Sequence, residues 1–488
     1  MISKKFIKSS LIYTLAGTLP MASAIILLPF YIKYLPTGEF GKLSIYLAFS
    51  MLVQIVVTYS LDTSLYIHFH EYKKEPAKLA VFVSSAFVFL ILFGLVITGL
   101  ITVLGGLLFD RIFEVQKLSF YPYGLLSAGA AIFQAIFKVY SSLLQSRERS
   151  VVYLWSNVFS FSIVAGLTIA GLHLFPGTLI GPVAGRAIAV LISVIWALIM
   201  TFREFGIHFN YRMLRKSFSY NRPAYLYQLQ TWSMNYLDRM FLLFFVTTSE
   251  IGVYDFAMKC MLVIDFIISG LWNSFYPKVI GQVIAQSGQK HATIEINRYY
   301  HGLTGIIMLL VCLSIPGFMA LIDTGLIKSG YEKSIQFMPL IGVTYLVRSA
   351  RYYFVLPYAA LKYSKPLPWI YLGISIPKIC LMALFVSHYG VYAVIGSAIV
   401  CTGLEVFLLW WGVRDKFYFK MNMAKLILAP LLLALTMVIV FTLTGKTGYG
   451  IQSLYLLLCV ALLGALYRNE LKQLKLSKYI GGMPGKLF

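Results

Sequence analysis

The sequence predicts an all-α polytopic membrane protein of about fourteen transmembrane helices: two six-helix bundles with two further helices appended at the C-terminus. Three observations carry this. Of the 488 residues, 59% are hydrophobic and only 12% are charged, whereas about 25% is usual for a soluble chain. Apolar stretches of about 20 residues, long enough to cross a bilayer, recur from end to end and leave no segment with the composition of a soluble domain. Lys and Arg concentrate in alternate connections, as threading through a membrane requires.

In order, the expected spans are 11–33, 41–61, 79–106, 119–145, 151–173, 178–200, 223–247, 251–276, 300–322, 336–359, 367–387, 391–412, 425–444 and 451–467. All are read as helices, because an open sheet leaves backbone groups unsatisfied in lipid. The opening MISKKFIKSS resembles a signal-peptide n-region. The apolar run behind it is long and lacks a small-residue cleavage site, so it reads as a retained first helix. The basic, aromatic connection at 201–222 runs into Pro223 and separates six spans from eight. This divides the chain into a first bundle at 1–205, a linker at 206–222, a second bundle at 223–415, an appended pair at 425–467 and a basic tail at 468–488. Internal duplication of this kind is common in transporters, with the substrate site between the halves. A short echo supports it: LPTGEFG (35–41) follows span 1, and TTSEIGVY (247–254) follows span 7.

With the N-terminus inside, and with the edge residues Lys33, Lys42 and Lys425 counted with the loops they adjoin, cytoplasmic segments hold 27 of the 41 Lys and Arg residues and external loops 7, leaving 7 within spans. Both termini are therefore expected in the cytoplasm. Counting acids in the same way, the cytoplasmic rim carries +19, the outer face +1 and the embedded part +3 of the net +23. The basic pI of about 9.6 is thus mainly a topology signal. The charges are spread over eight short segments rather than one patch, which argues against nucleic acid as a partner. Attraction to anionic membrane lipids follows from the same charges.

The embedded bases are Lys138, Arg186, Arg239, Lys259, Arg348, Arg351 and Lys378, and the embedded acids are Asp238, Asp255, Asp265 and Glu405. Each costs at least ~2.5 kcal/mol at the bilayer centre, so each should face a partner or water and is a candidate site residue, with structural pairing as the competing reading. In WSMNYLDRMFLLFF (232–245), Asp238 and Arg239 diverge by about 100° on a helix. That makes them poor partners for each other, while Asn235, four residues before Arg239, adds a polar stripe. Asp255 precedes Lys259 at the i,i+4 spacing of a helical ion pair. Arg348 and Arg351 share a face, with Tyr345 and Tyr352 beside them. Either an acid from another helix sits between them or they wait for an anion, and the mutual repulsion of two guanidiniums favours the anion. Lys138 follows Gln134 one turn on. Arg186 follows GPVAG, whose small residues permit close helix approach, toward the outer end of its span. Lys378 follows Pro377, where a broken helix would free carbonyls for the ammonium. Asp62 closes span 2 at the interface, with His68 and His70 on the cytoplasmic surface. Most Tyr and Trp belong to interfacial belts; Tyr225, Tyr227, Trp232 and Tyr236 are the alternative as flat faces for a sugar.

All five cysteines lie in apolar runs without a metal or redox spacing, so neither metal nor cofactor is expected. There is no GxxxxGK[ST], GxSxG or HExxH stretch and no Cys–His constellation. P-loop ATP hydrolysis and the common hydrolase chemistries are accordingly not expected, and no catalytic residue is assigned.

The stretch Ser217 to Pro277 resembles the middle of the polysaccharide-biosynthesis transporters, the Wzx-type O-antigen flippase family of the multidrug/oligosaccharidyl-lipid/polysaccharide superfamily. The shared features are Pro223, Asp238-Arg239, Gly252, Tyr254, Ala257 and Lys259. Leu35 with Glu39-Phe40-Gly41 is similar to the family's Leu…Glu-Tyr-Gly turn, and GVYAVIGSA (390–398) to its entry into span 12, with Ala393 as a departure. The resemblance implies a MATE-like fold of two six-helix bundles around a cavity in the bacterial inner membrane. It implies movement of undecaprenyl-pyrophosphate-linked oligosaccharide, with a polysaccharide polymerase and a chain-length regulator as partners. On that reading the cavity cations meet the pyrophosphate or acidic sugars, while Asp238, Asp255, Asp265, Glu405 and Asp62 orient those bases or couple to H+ or Na+. A MATE-type drug exporter is the nearest rival, although the 7 embedded bases against 4 acids suit organic cations poorly. An integral-membrane glycan polymerase or glycosyltransferase is the rival from another class, but the external loops are short for a catalytic domain.

Overall fold

The computed structural model describes residues 19, 22–113, 118–285, 294–325, 327, 330–361, 363, 365–415, 421–444 and 448–473. The beginning of the first expected span and the basic tail beyond 473 lie outside the described residues. Within these, regular structure is helical throughout, as the backbone accounting in lipid demands.

The chain divides into two compact units, 1–255 and 256–488. The first holds α1 (Ala22–Tyr34), α2 (Thr37–Thr58), α3 (Leu61–Tyr72), α4 (Pro76–Ile112), α5 (Leu125–Ser146), α6 (Ser150–Leu174), α7 (Ile180–Phe205), α8 (Tyr211–Leu242) and the first turns of α9 (Thr248–Ala285). The second holds the remainder of α9, α10 (Ile294–Asp323), α11 (Met338–Arg348), α12 (Arg351–Ala360), α13 (Leu367–Tyr389), α14 (Val391–Val413), α15 (Ala429–Thr444), α16 (Tyr449–Leu466) and the short α17 (Arg468–Gln473).

Ten described helices are long and apolar enough to span a membrane, so the expected count of about fourteen is not confirmed. The described part of α1 is short. Helix α8 is too polar over its length, carrying Gln228, Gln230, Asn235, Asp238 and Arg239. The expected span 336–359 is interrupted at Ser349–Ala350, giving α11 and α12 of 11 and 10 residues. Helix α9, with Asp255, Lys259 and Asp265, is the fourth segment outside the ten.

Local sequence explains several boundaries. Residues 211–222, read above as linker, are helical. Asn210 caps α8 by accepting the Met213 N–H, and Ser84 and Ser85 of α4 accept the backbone N–H groups of His208 and Asn210. Helix α13 runs unbroken through Pro377, so no carbonyls are freed there for Lys378 in the manner expected. A proline removes one backbone bond, a loss that membrane helices tolerate. The expected close approach at GPVAG is present: a Cβ on Gly181 would lie 2.1 Å from the Gly171 carbonyl oxygen, and one on Gly185 2.5 Å from that of Leu167. Helices α6 and α7 therefore touch backbone to backbone. Large apolar side chains such as Leu95, Val103, Leu107, Leu454 and Leu462 are exposed on α4 and α16, a surface suited to lipid tails.

Candidate functional site

In the first unit, α2, α8 and the start of α9 enclose an ionic knot. The Arg239 guanidinium donates from Nε to Asp255 Oδ1 at 2.9 Å, and its Nη2 lies 2.8 Å from the same oxygen. Its Nη1 donates to Asp238 Oδ1 at 2.8 Å and to the Asn235 carbonyl at 2.6 Å. Ser44 of α2 accepts from Nε at 3.2 Å, and the Tyr254 hydroxyl donates to the other Asp238 oxygen at 2.5 Å. The expectation that Asp238 and Arg239 are poor partners is corrected by this geometry. The two side chains do leave the helix in different directions, but the guanidinium curls back over its own turn and closes on both Asp238 and Asp255. The side chains of Arg239, Asp238 and Asp255 are only 8%, 5% and 2% exposed, which leaves no room for substrate at the knot as it stands.

Two glycines let α9 approach α2 closely enough to build it. A Cβ on Gly41 would sit 1.8 Å from the Thr248 carbonyl oxygen, and one on Gly252 2.0 Å from that of Thr37. Elsewhere in this unit Lys138 pairs with Asp62 at 2.9 Å. Ser142, one turn beyond Lys138 on α5, donates to the Asp62 carbonyl. Arg186 behaves differently. It lines a narrow cleft with Tyr31, Ser50, Ser127 and Pro182, and among the described residues no carboxylate lies within ion-pair distance of it.

In the second unit, each arginine of α11–α12 has an acid from another helix. Arg348 pairs with Asp265 of α9, which also accepts the Tyr345 hydroxyl at 2.7 Å. Arg351 lies 2.7 Å from Glu405 of α14, and its Nη2 faces the Tyr371 hydroxyl at 3.5 Å. The first of the two alternatives for this pair is therefore realised, with one acid per arginine. These groups stay accessible: Arg348, Asp265 and Arg351 side chains are 28%, 21% and 32% exposed. Lys378 is buried and Lys259 half-buried.

A family model for polysaccharide biosynthesis proteins matches residues 6–283. The chain belongs to the polysaccharide biosynthesis protein family. The family match takes in the knot, Lys138, Arg186, Lys259 and Asp265, while Arg348, Arg351, Lys378 and Glu405 lie beyond it. A membrane protein of Haemophilus influenzae is 26% identical over 283 residues, 56% of this chain and 64% of its own length. The chain spans just under two thirds of the length of the curated relatives it matches. Among solved structures, the lipid II flippase MurJ in an inward closed conformation superposes with a TM-score of 0.69 at 16% identity, over 94% of this chain and 99% of that one. An inward-facing multidrug resistance MATE transporter of the MOP superfamily superposes with a TM-score of 0.63 at 14% identity, over 82% and 94%. The MATE-like fold implied by the resemblance is thus the fold of this family member, a multi-pass membrane protein.

Several residues that build these sites carry no sequence signal of their own. Ser44 is one serine among many and enters the knot only because Gly41 brings α2 against α9. Of the aromatics singled out on α8, Tyr227 is exposed and three others have contacts within this unit. Trp232 donates to the Ala48 carbonyl at 2.9 Å, Tyr225 packs on Tyr59, and the Tyr236 ring lies 5.4 Å from the Arg239 guanidinium.

Proposed function

We propose that the protein is a flippase for undecaprenyl-pyrophosphate-linked oligosaccharide, the repeat unit of O-antigen or a similar surface polysaccharide. It moves this lipid from the cytoplasmic to the outer face of the bacterial inner membrane by alternating access, with both chain termini in the cytoplasm. The observation that carries the reading is Arg186. A guanidinium embedded without a carboxylate costs at least ~2.5 kcal/mol on insertion scales, and an arriving anion removes that penalty.

The chemistry of such a lipid fits. Each unpaired sugar hydroxyl costs several kcal/mol in about 30 Å of hydrocarbon, so the head needs a polar path while the polyprenyl tail remains in lipid. The pyrophosphate is the charged part of the head, and Arg offers it a bidentate fork, with Ser50 and Ser127 as neighbouring hydroxyl donors. Arg239, Arg348, Arg351 and Lys138 are already matched by acids and serve the substrate only if those pairs exchange partners. Lys259 and Lys378 supplement the positive charge. The acids Asp238, Asp255, Asp265, Glu405 and Asp62 hold the bases in place, and any coupling to H+ or Na+ runs through them.

The test is deletion with complementation. Loss of the gene is expected to trap a lipid-linked glycan on the cytoplasmic leaflet, and wild-type protein to clear it. Arg186→Gln is expected to clear it at least tenfold more slowly, with Arg186→Lys in between. An intact surface glycan with nothing accumulating overturns the flippase reading. Wild-type export by Arg186→Gln at normal expression overturns the role of Arg186.

A further inference from the structure

In the second unit an aromatic stripe runs beside an open ion pair. Asp265, Trp272 and Tyr276 recur on α9 at i, i+7 and i+11 and therefore share one helix face. Opposite them, Asp265 meets Arg348, and the Trp272 ring lies 4.9 Å from that of Tyr352 and 5.8 Å from that of Tyr276. Tyr300 of α10 stands 6.2 Å from Trp272. It is 4% exposed, and its hydroxyl has no hydrogen-bond partner among the described residues.

Core packing explains rings in contact. It does not explain why a guanidinium–carboxylate pair stays a quarter open in a membrane protein, or why a buried hydroxyl is left unbonded, since each arrangement has a cost. A ligand with both an apolar face and hydroxyl groups resolves all of these together. A hexose ring has one such C–H face, which a half-buried indole or phenol can cover. Its rim hydroxyls need partners once they leave water: the Asp265 carboxylate accepts, the Arg348 N–H groups donate, and the Tyr300 hydroxyl does either. A phosphate is disfavoured here, because Asp265 and Glu405 already balance both arginines.

We infer that Trp272, Tyr276, Tyr352, Tyr300, Arg348 and Asp265 form a carbohydrate subsite that stacks one uncharged sugar ring of the translocated head. The inference rests on the flippase reading and names the part of the substrate that this unit recognises.

The experiment uses the full chain in lipid nanodiscs with two radiolabelled probes. One is the lipid-linked glycan that accumulates in the deletion strain, and the other is the same lipid stripped of its sugars to the polyprenyl pyrophosphate. Wild-type protein is expected to hold the glycosylated probe about tenfold more tightly, equivalent to about 1.4 kcal/mol. Trp272→Leu and Tyr352→Leu remove that preference, whereas Trp272→Phe, which keeps a flat face, retains most of it. Thermal midpoints of the three variants identify any that misfold, and the wild-type comparison needs no variant. Equal binding of both probes by wild type, or a full preference in well-folded Trp272→Leu, overturns the subsite alone. Binding of neither probe overturns the flippase reading itself.

Discussion

Replacing Arg239 by Met tests whether the knot of α2, α8 and α9 is a structural clamp. The substitution keeps a long side chain and removes the charge. It deletes both contacts to Asp255 and the bonds to Asp238, the Asn235 carbonyl and Ser44. Two carboxylates with 5% and 2% exposed side chains then lose the guanidinium that closes on both of them. Removing one partner from a buried ion pair costs about 3–5 kcal/mol, because the remaining charge stays desolvated. At 1.4 kcal/mol per tenfold, that lowers the folded-to-unfolded ratio by roughly two to three and a half orders of magnitude. The assay is the heating midpoint of detergent-solubilised protein, followed by the monodisperse fraction on size-exclusion chromatography, with Lys78→Ala at an exposed pair as the unchanged control. The triple variant Asp238→Asn, Arg239→Met, Asp255→Asn should regain part of the loss, since it removes the two buried carboxylates together with the guanidinium they met. An unchanged midpoint for Arg239→Met, or no recovery in the triple variant, refutes the electrostatic account.

Three further outcomes follow from the geometry. Gly41→Ala and Gly252→Ala each place a methyl carbon within about 2 Å of a carbonyl oxygen on the facing helix and should each cost about 3 kcal/mol or more. Gly270→Ala, with nothing within 4 Å of the new Cβ, should leave the midpoint unchanged or slightly raised. Burial acts to raise the Glu470 pKa, but the hydrogen bond and charge of Lys425 outweigh it and hold the carboxyl below its ordinary range. The pair therefore contributes stability in full above the unfolded carboxylate pKa and loses it as pH falls through the lower folded value. Hydrogen exchange over 468–473 should rise only under acid conditions, and Glu470→Gln should abolish that step. Lys138→Met should lower expression by stranding Asp62, and Asp62→Asn added to it should restore the level on immunoblots. A double variant no better than the single one contradicts the pairing.

The membrane class was legible because composition and apolar run length are decided by the solvent, which acts on each segment separately. The embedded charges were legible for the same reason, since any ionised group inside an apolar run stands out whatever the fold. Their partners were not, because pairing is a long-range property. Arg348 finds Asp265 some 83 positions away, and no local spacing foretells which acid of another helix arrives. For Asp238 and Arg239 the helical-wheel argument failed for a different reason. It fixes where Cβ points, whereas a guanidinium on three methylenes can return to its own turn when a second acid, Asp255, holds its far edge. Pro377 misled because in lipid a helix that loses one hydrogen bond still has no better conformation to adopt.

The echo between LPTGEFG and TTSEIGVY acquires a physical meaning from the contacts around it. Exchange Thr37 with Thr248, Gly38 with Ser249 and Gly41 with Gly252, and the packing list maps onto itself. Gly41 lies against the Thr248 carbonyl, and Gly252 lies against that of Thr37. Thr37 Oγ1 meets Ser249 Oγ at 2.6 Å, and a Cβ on Gly38 would lie 3.5 Å from Thr248 Oγ1. A contact in which residue i touches j while the equivalent of j touches the equivalent of i is isologous, the form imposed by a two-fold axis. Two turns that resembled each other by chance would have no reason to use matching positions on both sides. Such matching is what duplication of one helix start would give, each copy keeping the glycine that lets the other approach. That close approach in turn brings Ser44 and Asp255 to Arg239, so the buried charges of the first unit rest on these two glycines.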